Sequence, residues 1–146
     1  MKAYSSKDMK RYNHLIGEIE AVYHEMSFKL GQSDSAMMIL YTICACGESC
    51  PLQVICQQSG VSKQTINSAL RKLEAEGIAY LEPAGAREKR VCLTEKGKAL
   101  AKDTAVRMIE AENGIFASWP REDVERYLEL TERFLMDLKE KAREIL

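Results

Sequence analysis

The sequence predicts a mainly α-helical fold carrying one small β-hairpin, built as a single domain over residues 1–146. Three observations lead there. Apolar side chains recur at steps of three and four over most of the chain, the period of a helix face. Gly31, Gly47, Gly60 and Gly77 each follow such a stretch and end it. Only between residues 78 and 94 does the pattern change, to two short, partly β-branched runs, IAYLE and RVCLT, separated by PAGAREK.

The first helix is expected over residues 8–30, where Tyr12, Leu15, Ile16, Ile19, Val22, Tyr23, Met26 and Leu30 form one stripe. A second starts at Ser33 or Asp34, either able to cap it, and runs through SAMMILYTICAC to Gly47. Apolar on nearly all sides, it belongs at the centre of the fold. Pro51 suits the first turn of a third helix that continues through LQVICQQS to Gly60. Ser62 caps a fourth, KQTINSALRKLEAE, with Ile66, Ala69, Leu70 and Leu73 turned inward and Gly77 at its end. In the hairpin that follows, Pro83 and Gly85 place the bend and the tip displays Arg87, Lys89 and Arg90. A fifth helix is expected from Thr94 to about Ala117, and a sixth from about Pro120 to the C-terminus, its apolar stripe holding helical period from Val124 to Ile145.

Hydrophobic residues at 46% and charged residues at 29% provide a core to bury, which excludes wholesale disorder. A net charge of -1 excludes indiscriminate coating of nucleic acid, yet the charge is unevenly spread. Residues 62–98 carry a net +3 between flanks of -1 and -3. Screening confines such a field to roughly 8–10 Å, so a local excess is what phosphate binding requires. No apolar run reaches the roughly 18–20 residues of a transmembrane helix, and MKAYSSKDMKRYNHL lacks the apolar centre of a secretion signal. The five cysteines, Cys44, Cys46, Cys50, Cys56 and Cys92, are therefore expected to be reduced thiols in a cytoplasmic protein.

Two helices that cross at a tight turn need a small residue at the crossing, a turn residue free in φ, and apolar anchors around both. Residues 52–69 supply them in order: Ile55 as anchor, Cys56 as the small residue, Gly60 at the turn, then Val61, Ile66 and Ala69 as anchors. With a basic-tipped hairpin behind them, residues 33–97 read as a winged helix-turn-helix, which places one helix in the DNA major groove and a loop beside it. Residues 8–30 and 98–146 are then left as helices flanking that part, the segments to which the family resemblance described below assigns dimerisation.

The fourth helix carries the side chains that base edges require. Gln64 and Asn67 can bond adenine bidentately, while Thr65 and Ser68 suit several bases. Lys63, Arg71 and Lys72 suit guanine or phosphate, and Ser62 stands at the helix start. At the wing, Arg87 suits a narrow minor groove, and Lys89 and Arg90 suit phosphate. For an isolated polar stripe, a solvated face is the plainer alternative.

The run Leu70, Leu73, Glu76, Gly77 leading into the hairpin, and Arg87 followed by Leu93, Thr94, Glu95, Lys96 and Gly97, resemble the MarR family of bacterial transcription regulators. The resemblance extends over essentially the whole chain. It implies a homodimer in which the first, fifth and sixth helices interlock and two heads read a pseudo-palindromic operator in double-stranded DNA. It implies a ligand-responsive repressor; no cofactor is expected, and the cysteine spacing gives no expectation of a metal. A small aromatic or anionic effector would sit between the dimer helices and the head, where Tyr23, Met37, Tyr41, Phe116 and Trp119 are the candidates to meet it; such residues at helical spacing also serve as core. One departure stands out. The family usually has an Asp two residues before the wing arginine, where this chain has Gly85, and the wing is expected to be mobile until DNA fixes it.

Two rival readings stay open. Cys44, Cys46 and Cys50 allow a thiol-based redox sensor on the same scaffold, although no CxxC pair occurs and burial accounts for Cys56 and Cys92. A helical interaction protein that no longer reads DNA is the other. His14 and His24 lie too far apart for a shared one-turn metal site, and no nucleophile with a neighbouring base is recognisable, so an enzyme is not expected.

Overall fold

A computed structural model describes all residues, 1–146, and divides them into two compact units, Met1–Ile109 and Glu110–Leu146. In the first unit, α1 (Lys7–Lys29) opens on Ser6, whose Oγ accepts a hydrogen bond from the Met9 amide at 3.1 Å. Helix α2 (Asp34–Cys46) opens in the same way on Ser33, which accepts from the Ala36 amide at 3.1 Å. Met37, Ile39, Leu40 and Ile43 of α2 are buried, and the later elements pack around them. Burying each such side chain is worth roughly 1.5–3 kcal/mol, so the central placement expected of this helix follows from its composition.

The chain then forms β1 (Ser49–Pro51), α3 (Leu52–Ser59), α4 (Lys63–Ala75), β2 (Ala79–Pro83), β3 (Lys89–Leu93) and α5 (Glu95–Asp103). Three of these make an antiparallel sheet in the order β1-β3-β2, with Cys50 opposite Val91 and Leu81 opposite Val91 on its other side. The hairpin is thus one part of a three-stranded sheet. Pro51 is not in the first turn of α3: it ends β1 and stands as the N-cap residue of the helix. A proline is tolerated there because β1 is an edge strand.

Two further differences concern helices. The expected single helix from Thr94 to Ala117 is broken at Thr104 into α5 and α6 (Ala105–Ser118). The Thr104 hydroxyl donates to the Leu100 carbonyl at 2.8 Å, a local bond that competes with the helix ladder, and Thr104 itself leaves helical geometry at φ -127, ψ -87. Val61, expected as an anchor, is 41% exposed: the turn after Gly60 (φ 67) holds it outside, with its amide on the Ser59 hydroxyl. Ile55 and Ile66 are buried as anchors, and Ala69 and Cys56 are half-buried.

The end of α4 is fixed to the start of α5 by a polar clasp. Glycine at 77 (φ 75) lets the chain reverse, with the Gly77 amide on the Glu74 carbonyl and the Ile78 amide on the Leu73 carbonyl, while Leu73 and Ile78 are both buried. Thr94 then caps α5, accepting from the Gly97 amide at 2.9 Å and donating its hydroxyl to the Gly77 carbonyl at 2.6 Å. Lys96 donates to the Glu76 carbonyl at 2.9 Å. Gly97 lies against the Ile78 carbonyl so closely that a Cβ there would collide with backbone. The Thr-Glu-Lys-Gly run is therefore the joint that sets the hairpin against α4.

The second unit contains the rest of α6 and α7 (Arg121–Ile145), which begins at Pro120. Along α7 only Val124 is buried; Tyr127, Leu128, Leu130, Phe134, Leu135, Met136 and Leu138 are exposed. No helix of the chain is long and apolar enough to cross a membrane.

Candidate nucleic-acid interface

Helix α4 turns Ile66, Leu70 and Leu73 into the core and its polar side chains away from it. At 100° per residue, Gln64, Ser68 and Arg71 run down the middle of the outer face, with Thr65 and Lys72 along one side and Asn67 along the other. Ser62 is committed to the helix start: its Oγ accepts from the Thr65 amide at 3.1 Å and lies 2.8 Å from the Thr65 hydroxyl. The cap aligns the first turn, whose amides and dipole favour an anion.

The wing closes through the Ala84 amide on the Glu88 carbonyl at 3.0 Å. Gly85 has φ 119, a conformation L side chains rarely adopt, so the loop as built fits glycine and would strain an Asp. Between the wing tip and α3 runs a groove of about 960 Å³, lined by Arg87, Glu88 and Lys89 on one side, Gln53, Gln57 and neighbours of α3 on the other, and Lys63 from α4. Three cations and one carboxylate give it a positive balance. The side chains of Lys63, Gln64, Ser68, Lys72, Arg87 and Lys89 are exposed and make no hydrogen bond or ion pair within the chain. Arg71 makes only a long contact, 3.4 Å, from its Nε to the Asn67 carbonyl.

Arg90 is placed differently from its wing neighbours. Its Nε donates to the Ser49 Oγ at 3.0 Å and an Nη donates to the Ser49 carbonyl at 3.2 Å, so the guanidinium ties β3 to β1. That commitment makes Arg90 a sheet latch rather than a free phosphate contact. Gln53 and Gln57, which line the groove, were assigned no role from sequence: an exposed pair one turn apart on a short helix carries no signal until the wing is seen opposite.

The effector candidates fall in both units. Met37 is 3% exposed within the core, which leaves it little surface for a ligand. Tyr41 is half-buried and Tyr23 exposed. In the second unit Phe116, Trp119 and Tyr127 pack together in tilted and edge-on contacts, their ring centroids 5.3 to 6.1 Å apart. Tyr127, read from sequence only as part of the α7 stripe, is thus the third member of an aromatic cluster.

The thiols differ sharply. Burial raises the Cys44 and Cys92 thiols above the ordinary range, and the Cys92 Sγ donates to a Glu82 carboxylate oxygen at 3.3 Å. The Cys46 and Cys50 Sγ atoms lie 2.7 Å apart. No group of three or more His, Cys, Asp or Glu residues could hold a metal ion.

A helix-turn-helix with an uncommitted polar outer face, joined to a sheet whose tip carries free cations, defines a winged helix-turn-helix. Residues 32–79 match the family model for winged helix-turn-helix DNA-binding. Among solved structures, the chain is similar to NMB1585, a MarR family regulator from Neisseria meningitidis, at 19% identity and TM-score 0.83, covering 97% of this chain and 100% of that one. It is similar to a MarR family transcriptional regulator from Silicibacter pomeroyi at 22% identity and TM-score 0.67, covering 90% and 89%. It is also similar to NadR in complex with 4-hydroxyphenylacetate, at 14% identity and TM-score 0.69, covering 92% and 96%. No curated protein sequence matches it. The chain has the winged helix-turn-helix fold. Its fold is that of MarR family regulators.

Proposed function

We propose that this protein is a sequence-specific, double-stranded DNA-binding transcription regulator of the MarR family, acting as a homodimer and responsive to a small ligand. One observation carries the reading: the unengaged outer face of α4 stands beside a positively lined groove closed by the wing tip. Gln64, Asn67, Ser68 and Arg71 read base edges, Lys63, Lys72 and Lys89 contact phosphate, and Arg87 enters the minor groove. Several phosphate contacts of this kind make affinity fall steeply with salt.

Dimerisation accounts for the apolar surface left open on single elements. Tyr12, Leu15, Ile19 and Val22 of α1 are 40–54% exposed, and Leu128, Leu135 and Leu138 of α7 are 47–54% exposed. Contiguous apolar faces of that extent mark interaction surfaces, and a two-fold dimer presents its heads to a two-fold operator. The complex of NadR with 4-hydroxyphenylacetate supports a small aromatic acid as the effector class, and the regulatory sense proposed with it is repression.

Selection from a random duplex library with the full-length protein tests the reading. Enrichment of two related half-sites in inverted orientation is the expected result. A library that stays random after repeated rounds at physiological salt would overturn it.

A further inference from the structure

The residues the DNA-binding reading leaves unused include one pair poised for covalent chemistry. Cys46 ends α2, Gly47 (φ 136, ψ -124) reverses the chain, and Cys50 sits in the middle of β1. The reversal brings the two sulfurs to 2.7 Å. Closing from there to the ~2.04 Å of an S–S bond needs about 0.7 Å of movement. Cys46 is exposed and Cys50 is wholly buried, so a dissolved oxidant reaches one sulfur and finds the other directly behind it.

We propose that Cys46 and Cys50 form a redox modification site, at which a peroxide closes a disulfide that displaces β1 and with it the wing. The effect on DNA rests on the regulatory reading of the chain; the sulfur chemistry does not. The Cys46 thiolate attacks a peroxide oxygen, so that an S–O bond forms, the O–O bond breaks, and the leaving hydroxide takes up a proton as water. The Cys50 sulfur then attacks the Cys46 sulfenic sulfur: the S–S bond forms, the S–O bond breaks, and the hydroxide leaves as a second water with the Cys50 proton. Two thiols and one hydrogen peroxide give one disulfide and two waters, the two electrons passing from sulfur to oxygen.

The order of attack follows from the environment. Burial first, then the hydrogen bond with Cys46, pushes the Cys50 thiol up to about 12, which leaves it protonated and makes the exposed Cys46 the sulfur that meets peroxide first; Cys50 resolves through its proximity, giving its proton to the departing hydroxide as it attacks. Cys44, half-buried against the core, and Cys92, bonded to Glu82, have no sulfur partner.

The route from sulfur to wing is short. Strand β1 has three residues and lies at the sheet edge, paired only with β3: Ser49 with Cys92, Cys50 with Val91, Pro51 with Arg90. Arg90 grips Ser49 through two hydrogen bonds, and Pro51 is the N-cap residue of α3 and part of the groove wall. Moving Cys50 therefore pulls on the base of the wing and on the first helix of the reading head at once.

The test treats the reduced full-length protein with hydrogen peroxide and follows three readouts: peptide mapping of the linkage, amide exchange in residues 49–51 and 89–93, and DNA binding by fluorescence anisotropy. A Cys46–Cys50 linkage is expected, with faster exchange in both strands, a loss of DNA affinity of about tenfold or more, and recovery with dithiothreitol. Cys46→Ser abolishes all three responses, whereas Cys44→Ser keeps them; Cys50→Ala stops at the Cys46 sulfenic acid, trapped by dimedone. Absence of the linkage, or a linkage that leaves strand exchange unchanged, overturns the proposal. If reduced protein binds no DNA, the regulatory reading fails while mapping and exchange still judge the switch.

Discussion

Replacing Gly97 by alanine separates the role of the clasp from ordinary helix preference. On propensity alone, glycine to alanine in a helix stabilises by about 0.5–1 kcal/mol. At Gly97 the added Cβ meets the Ile78 backbone carbonyl, with the Leu93 Cβ also close, and no side-chain rotation relieves a collision with backbone. Overpacking of this kind costs about 1–3 kcal/mol, and forcing α5 away from Ile78 also loosens the Thr94 cap, worth about 1 kcal/mol more. The net expectation is a loss of about 2–3 kcal/mol, or roughly 5–10 °C in Tm for a chain of this size. Gly17→Ala is the matched control: Gly17 lies within α1, on the face away from the apolar stripe, and nothing stands within 4 Å of its Cβ position. It should raise stability by about 0.5–1 kcal/mol. Paired thermal and urea melts decide; Gly97→Ala melting at or above wild type would refute the clasp as the joint between wing and α4.

Other substitutions probe the head and the thiols. Arg87→Ala should weaken operator binding about tenfold, with an unchanged melt because the guanidinium has no protein partner; equal affinity in an anisotropy titration counts against the wing contact. Ser62→Ala removes the acceptor for the Thr65 amide and should cost about 1 kcal/mol in a urea titration, a loss that a mere surface serine would not produce. In reducing buffer, stability should fall as pH rises from about 9 toward about 12, because unfolded thiols release protons that native Cys50 keeps, so the unfolded state binds fewer protons in that window. Cys50→Ala should flatten part of that slope, and identical slopes for the two proteins would remove the buried thiol as its source.

How much of this was legible in the sequence depended on the reach of each interaction. The caps at Ser33 and Ser62, the inward stripe of α4 and the hairpin rest on residues within a turn or two of each other, and they are where the pattern put them. Strand β1 was not legible, since Ser49, Cys50 and Pro51 are too few to show a period and exist as a strand only through pairing with β3. The break at Thr104 has no glycine or proline to announce it. Arg90 resembled its neighbours in the basic tip until the sheet placed Ser49, forty-one positions away, against it. The proximity of Cys46 and Cys50, only four positions apart, was hidden for another reason: it depends on the conformation of the Gly47 reversal rather than on spacing. For the site, the polar face of α4 was readable from sequence, but the groove and the part of α3 in it needed the third dimension.

The central claim is that α4 reads base sequence. Its most direct test titrates wild type and the Gln64→Ala, Ser68→Ala double variant against a selected operator and a scrambled duplex of equal length at one salt concentration. The account predicts that the variant loses about tenfold or more of the operator-to-scrambled affinity ratio while its binding to scrambled duplex and its salt slope stay as in wild type. An unchanged ratio would contradict it.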